Sequence, residues 1–263
     1  MEYFVQCWSG GKDSTASIIL AHENGEPINE ILFVEVMYDL KRDISGENPE
    51  HINFIKNIAK PLFESWGYKV TIIRSEKDYL SCFNRKIERP TKYMDHKGKK
   101  FGFPAVGGCC YVKRDLKLKP MEKYLKNIKG ELIQYVGIAK NEPGRLKALK
   151  QGRISLLDKY EYTEEAAMDL CKKYNLLSPG YEFSKRGGCW FCPNAKLEEH
   201  RQINKIMPNI WQEFITLEKE DVAYGKWNSY TKETLKQRDE KIKWEDAQIS
   251  LFDLGIIKYK EEE

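Results

Sequence analysis

Residues 3–24 read YFVQCW, then SGGKDST, then ASIILAHEN, and the order of those three pieces decides the fold. Tyr3 to Trp8 is short, aromatic and β-favouring, which predicts a buried strand. Ser9 to Asp13 supplies a turn. Ser14 to Asn24 then puts Ala16, Ile19 and Leu20 on one helical face, and Gly25-Glu26-Pro27 stops the helix. The adjacent Gly10 and Gly11 let the backbone turn sharply and approach an anion with no Cβ in the way. Free N–H groups and the positive end of the helix then face that anion. Ser9, Ser14 and Thr15 add hydroxyl donors, and Lys12 adds a charge. The pattern is a phosphate loop. It is not the Walker loop, which requires Gly-x-x-x-x-Gly-Lys-Ser/Thr.

Outward from the loop the chain keeps alternating. Ile31 to Met37 is an almost continuous apolar run, as in a strand covered on both faces. Asn48-Pro49-Glu50 opens a helix carrying Ile55, Ile58, Leu62 and Trp66 at helical spacing as far as Gly67. Lys69 to Arg74 is a third strand. The first 75 residues therefore read β-α-β-α-β, with connections long enough for parallel crossovers. A helix is expected from Cys109 towards Leu125, divided or restarted at Pro120. Leu132 to Val136 is a fourth strand ending at Gly137, and Thr163 caps a helix of Glu164 to Tyr174. Gly187-Gly188-Cys189 begins a knuckle. From Lys196 the chain reads as charged helix, broken at Pro208 and Gly225. The expected fold is a doubly wound, mostly parallel, Rossmann-like α/β sheet. Its ligand belongs at the C-terminal edge of the strands, where Asp39 is also expected. The expected organisation is a nucleotide-binding domain over 1–194 and a helical region over 195–263.

The 263 residues carry a net charge of +4, which permits an anionic partner without requiring one. No apolar run approaches the ~20 residues of a membrane helix. Met1 to Gln6 lacks the plan of a signal peptide, so a cytoplasmic protein with reduced cysteines is expected. Cys7, Cys82 and Cys171 read as core or incidental residues. Cys109/Cys110 and Cys189/Cys192 form two tight pairs, and four thiolates suffice for a zinc ion or an iron–sulfur cluster. The four histidines, 22, 51, 96 and 200, share no ligand spacing. The basic stretch from Arg85 to Lys100, with Lys92 and Tyr93, reads as a solvated loop or as a track for a phosphate backbone. Glu142 and Arg145 form a candidate pair, with Arg145 placed to clamp a phosphate. Asp13 is a candidate for placing Mg²⁺.

Ser-Gly-Gly-Lys-Asp-Ser at 9–14 resembles the PP-loop signature of the adenine nucleotide α-hydrolase superfamily. Cys109-Cys110-Tyr-Val-Lys113-Arg114-x5-Pro120 and Gly188-Cys189-Trp-Phe-Cys192 resemble the two cysteine segments of the phosphoadenosine or adenosine phosphosulfate reductase family. Gly137-Ile138-Ala139-x-x-Glu142-x-x-Arg145 resembles its nucleotide and substrate segment. The resemblance implies ATP, with Mg²⁺, held by Ser9 to Thr15, Gly137, Glu142 and Arg145, with Lys12, Asp13 and Arg145 in catalytic roles. It implies a [4Fe–4S] cluster, or zinc in its place, on Cys109, Cys110, Cys189 and Cys192. Three departures matter. Lys-Arg stands at 113–114 where Arg-Lys is usual, with the proline two residues late. Ala139 stands where the nucleotide segment has an arginine. No cysteine follows Cys192, although the reductases work through a thiol in a C-terminal tail. The closer likeness is to the family's ATP pyrophosphatase-like members, which open the α–β phosphate link to adenylate a substrate. A role in sulfur transfer would follow, with a nucleic acid or a sulfur-donor protein as partner. Phosphosulfate reduction and non-catalytic nucleotide binding are the alternatives.

Overall fold

The computed structural model describes residues 1–89, 96–106, 108–182 and 188–253. Lys92, Tyr93, Gly107, Gly187 and the closing Glu261 to Glu263 lie outside the described residues. Contacts divide the chain into two compact units. The first comprises Met1–Ser81 and Tyr111–Cys189, and the second Cys82–Cys110 and Trp190–Glu263. This differs from a division after Asn194. Segment 82–110 joins the C-terminal region because its strand Lys100–Gly102 pairs in parallel with Val222–Tyr224. Lys99 and Lys100 also form ion pairs with Asp221 and Glu220, at 3.1 and 2.6 Å. The basic stretch thus spends two of its charges inside its own unit. Arg85 lies over the Phe101 ring, 4.4 Å from its centroid.

In the first unit, β1 (Glu2–Trp8), β2 (Glu30–Glu35), β3 (Lys69–Arg74), β4 (Glu131–Tyr135) and β5 (Arg153–Ile154) form one sheet. Its spatial order is β5-β4-β1-β2-β3, with every neighbouring pair parallel. Alternation along the strands sends side chains to both faces. Val5 and Leu32 pack with Leu125 on one face. Trp8, Ile31 and Phe33 pack on the other with Ala16, Ile19, Phe54 and Phe63. Helices therefore cover both faces, as a doubly wound sheet requires. Helix α1 (Lys12–Asn24) is buried at nearly every position up to Ala21. It packs against Leu157, Ala167 and Leu170 as well as the sheet, which is why its sequence has no broad polar face. Gly25 ends it in the left-handed conformation, at φ 66°.

Several local expectations change. The run Ile31 to Met37 divides after Glu35, and Met37–Asp39 turns away to pair antiparallel with Ile44–Ser45. Asn48 caps the next helix, Pro49–Phe54, its Oδ1 accepting from Glu50 N at 2.9 Å. The helical run passes through a π turn, Ile55–Ala59, into Lys60–Ser65. Cys109–Cys110 is not the start of a helix but a short strand paired with Ala105–Val106. Gly108, at φ 81°, belongs to the turn between those strands. A π-helical stretch, Lys113–Leu118, and an α-helix, Lys119–Leu125, follow, with Pro120 in the first turn of the latter. Strand β5 is too short to leave a pattern in the sequence.

The second unit holds the expected helices, Leu197–Ile206, Pro208–Thr216 and Leu235–Asp253. Trp211 Nε1 donates to Asp239 Oδ1 at 2.8 Å, and Trp227 Nε1 donates to the Phe191 carbonyl at 3.1 Å. No helix among the described residues is long and apolar enough to cross a membrane.

Candidate functional site

From β1 the chain builds β2 and β3 outward on one side, then returns to lay β4 and β5 on the other. The order reverses between β1 and β4. In open α/β sheets the crevice beyond the strand ends at such a reversal is where ligands bind. A cavity of about 320 Å³ opens there, lined by Ser9, Gly11, Asp13, Ser14, Val136, Gly137 and Arg145. Cys7, Glu47, Lys117, Tyr181 and Gly188 complete its wall. The volume lies within the range of small-molecule sites.

The loop is built around two close approaches. Gly10 has φ 74°, and a Cβ there would meet the His51 ring at 2.6 Å and Ile55 Cδ1 at 2.7 Å. A Cβ on Gly137 would meet Ser14 N at 2.5 Å and Asp13 C at 2.7 Å, both backbone atoms that cannot swing aside. Gly137 thus lets the end of β4 seat directly on the first turn of α1. Gly11 caps that helix with no side chain, so no capping side chain from that position covers the N–H groups of the first turn, the end of a helix that suits an anion. Ser14 Oγ accepts from Ser9 N at 3.1 Å and donates to the Gly11 carbonyl at 3.1 Å. It also lies 3.0 Å from Ser9 Oγ. Thr15 Oγ1 accepts from Trp8 Nε1 at 3.0 Å and so locks the loop to the core.

The structure separates the loop residues into those on the wall and those off it. Gly10, Lys12 and Thr15 are not among the residues that line the cavity, nor is Glu142. Lys12 Nζ lies 2.7 Å from Asp13 Oδ1 and 3.1 Å from Glu164 Oε1. Burial pulls the Lys12 ammonium down, but its two carboxylate partners outweigh that and hold it above its usual range. It reaches a phosphate only if those pairs open. Burial pushes the Asp13 carboxyl up, Lys12 opposes the shift, and Glu164 and Glu142 add to it. Glu142 Oε1 accepts from Arg145 Nη1 at 2.6 Å, while Oε2 accepts from Ala139 N at 3.1 Å. The expected Glu142–Arg145 pair therefore forms, with the guanidinium half in solvent. Asp39 is drawn into its own turn, accepting from Lys41 N at 2.9 Å and Arg42 Nε at 2.7 Å.

Four residues at the site carry no signal in the sequence. His51 is buried, with Nδ1 2.7 Å from Ser178 Oγ and Nε2 3.2 Å from the Ser9 carbonyl. Burial pulls its imidazole below the usual range, against Glu47 and the Ser9 carbonyl, so it props the loop as a neutral ring. Tyr181 Oη accepts from Lys12 N at 2.9 Å, occupying a donor that a phosphate oxygen would otherwise use. Glu47 and Lys117 face each other on the wall. Lys117 lies in a π-helical stretch and His51 just before the other π turn, a distortion often found at functional sites.

The thiols are distributed unevenly. Burial pushes Cys7, on the cavity wall, up to about 11 against the pull of Arg153. Burial, with Asp13 adding to it, pushes Cys171 up to about 12. Cys109 and Cys110 are exposed, Cys189 and Cys192 half-buried, and no disulfide forms. Four such thiols have the chemistry of a metal site. No group of three or more His, Cys, Asp or Glu among the described residues is arranged to hold a metal.

No family model matches the chain, and no curated protein matches it. Among solved structures it is similar to the U34-tRNA thiolase NcsA from Methanococcus maripaludis, determined with its [4Fe–4S] cluster. The identity is 15% and the TM-score 0.40, over 92% of this chain and 72% of that one. A likeness of that degree carries no argument about chemistry.

Proposed function

We propose that the first unit binds ATP with its phosphates on the Ser9–Thr15 loop, and that the chain is a PP-loop enzyme of ATP pyrophosphatase type. It would adenylate an acceptor, in the service of sulfur transfer. One observation carries the reading. A side-chain-free helix start, held down by Gly137, opens into a cavity at the reversal point of a parallel sheet, with Arg145 and Lys117 on its wall.

The acceptor's nucleophile attacks the α-phosphorus, the α–β bridging bond breaks, and pyrophosphate leaves with the electron pair. The N–H groups of the first turn of α1 and the hydroxyls of Ser9 and Ser14 orient the phosphates. Arg145 meets the charge that grows on the departing group. A phosphate oxygen replaces Tyr181 Oη on Lys12 N. Mg²⁺ bound with the nucleotide would share that charge, and Asp13, a carboxylate of the wall, would hold it. Cys109, Cys110, Cys189 and Cys192 are the donor set that would hold a [4Fe–4S] cluster, or zinc in its place. A cluster would supply a site for sulfur or electron transfer. Thiol-based reduction of a sulfonucleotide is disfavoured by the state of Cys7, the thiol on the cavity wall, which burial keeps protonated and poorly nucleophilic.

Isotope exchange between pyrophosphate and ATP, run against candidate acceptors, tests this reading. Wild type is expected to exchange, and Arg145→Ala to lose roughly 10²–10³ in rate. Sulfite release from phosphosulfate nucleotides, with no exchange from ATP, would favour the reductase.

A further inference from the structure

Glu47 is 3% exposed and lines the same cavity as Ser9, Gly11 and Gly137. Its backbone is fixed by a bridge to Cys189 and by a hydrogen bond from its N–H to Ser45 Oγ at 3.3 Å. Its Oε1 has no hydrogen-bond partner among the described residues. Lys117 Nζ stands 4.0 Å away, close enough to balance the charge and too far to donate a hydrogen bond. What the carboxylate lacks is therefore a donor and not a counter-charge. A buried acceptor left without a donor is costly, so the site is built to be completed.

Three kinds of ligand group could meet that oxygen. A phosphate is anionic and an acceptor, so it repels Glu47. A divalent cation on Glu47 would stand beside a like charge, the Lys117 ammonium 4.0 Å from the same oxygen. A neutral hydroxyl donates the missing hydrogen bond and leaves the Lys117 pair intact. With the phosphates on the loop, the neighbouring part of a nucleotide that carries neutral hydroxyl donors is the ribose. We propose that Glu47 reads the sugar of the bound nucleotide, accepting a hydrogen bond from a ribose hydroxyl. The proposal rests on the reading of this cavity as a nucleotide site and deepens it.

Calorimetry of the whole chain with ATP, 2′-deoxyATP, 3′-deoxyATP and inosine triphosphate tests the proposal. Wild type is expected to bind one of the two deoxy nucleotides roughly ten- to hundredfold more weakly than ATP, the range for a hydrogen bond to a charged group. Glu47→Ala should bind ATP and that analogue alike. Glu47→Gln retains an acceptor oxygen and should retain part of the preference. Equal binding of ATP and both deoxy nucleotides by wild type overturns the proposal, as does a preference that survives in Glu47→Ala. Discrimination against inosine triphosphate alone would mean that Glu47 reads the base, and loss of Mg²⁺ dependence in Glu47→Gln that it holds metal. Either result overturns it as well. No binding of any nucleotide would defeat the nucleotide reading itself, whereas ATP binding without sugar preference defeats only the role of Glu47.

Discussion

The phosphate loop and the cysteine pairs were equally conspicuous in the sequence, and the fold treats them oppositely. The loop is assembled by local geometry. Ser9 to Thr15 are joined to one another, to Trp8 and to Tyr181 by hydrogen bonds of about 3 Å. Gly137 closes on them from β4. The cysteines form no such assembled site: among the described residues no group of three or more His, Cys, Asp or Glu is arranged to hold a metal. A site whose parts are neighbours along the chain forms with the fold. A site whose parts are remote in sequence needs either packing or a ligand to bring them together.

Gly137→Ala strikes the comparison hardest. Its methyl meets backbone atoms of Asp13 and Ser14, which yield only by moving α1. A loss of about 1–3 kcal/mol in stability is expected, as for overpacking elsewhere. Urea unfolding reads it, and an unchanged midpoint would show that the loop is not clamped by β4.

Tyr181→Phe should act in two directions. Losing the acceptor on Lys12 N leaves that N–H unpaired and costs about 1 kcal/mol in the ligand-free chain. The same N–H then becomes free for phosphate, so ATP should bind about fivefold tighter. Weaker binding by calorimetry would mean that Tyr181 holds the loop open rather than filling it.

A smaller, pH-dependent effect is expected from His51. Burial lowers its folded-state range, so near pH 6.5 the unfolded chain takes up a proton that the folded chain refuses. The stability this contributes is present above that range and falls away as pH drops through it. Unfolding midpoints compared from about pH 7.5 to about 5.5 should fall more steeply in wild type than in His51→Gln. Parallel slopes would remove the ring from its role under the loop.

The cysteines themselves can be ranked by reactivity. Cys109 and Cys110 are exposed, whereas burial holds Cys7 and Cys171 as thiols up to about 11 and about 12. In metal-free protein, iodoacetamide should label the exposed pair well before Cys7, which is half-buried, and Cys171, which is buried, as read by peptide mass spectrometry. Anaerobic loading with iron and sulfide should protect Cys109, Cys110, Cys189 and Cys192 together. Protection of one pair alone would argue against a shared site.

Much of the first unit was legible because its signals are local. Ser9 to Asn24 contains a whole strand-to-helix turn, and Lys69 to Arg74 is a strand bounded as its residues suggest. The helix expected at Cys109 failed because apolar spacing cannot register a hairpin turning at Gly108. The place of segment 82–110 was hidden because Lys100–Gly102 pairs with a strand far along the chain. His51, Glu47, Lys117 and Tyr181 reach the loop only through tertiary packing. No spacing marks such residues, and the role expected for Lys12 met a competitor, Glu164, that lies equally far away.

The central claim is that the cavity beyond β1 and β4 holds ATP by its phosphates. Titration calorimetry of ATP with Mg²⁺ into wild type and Gly10→Val tests it most directly, with circular dichroism confirming that the variant folds. A valine at φ 74° is strained and drives its Cβ into His51 and Ile55, the residues under the loop. The expected result is saturable binding by wild type and a loss of at least about a hundredfold in a folded variant. ATP binding of equal strength in both proteins would contradict the account.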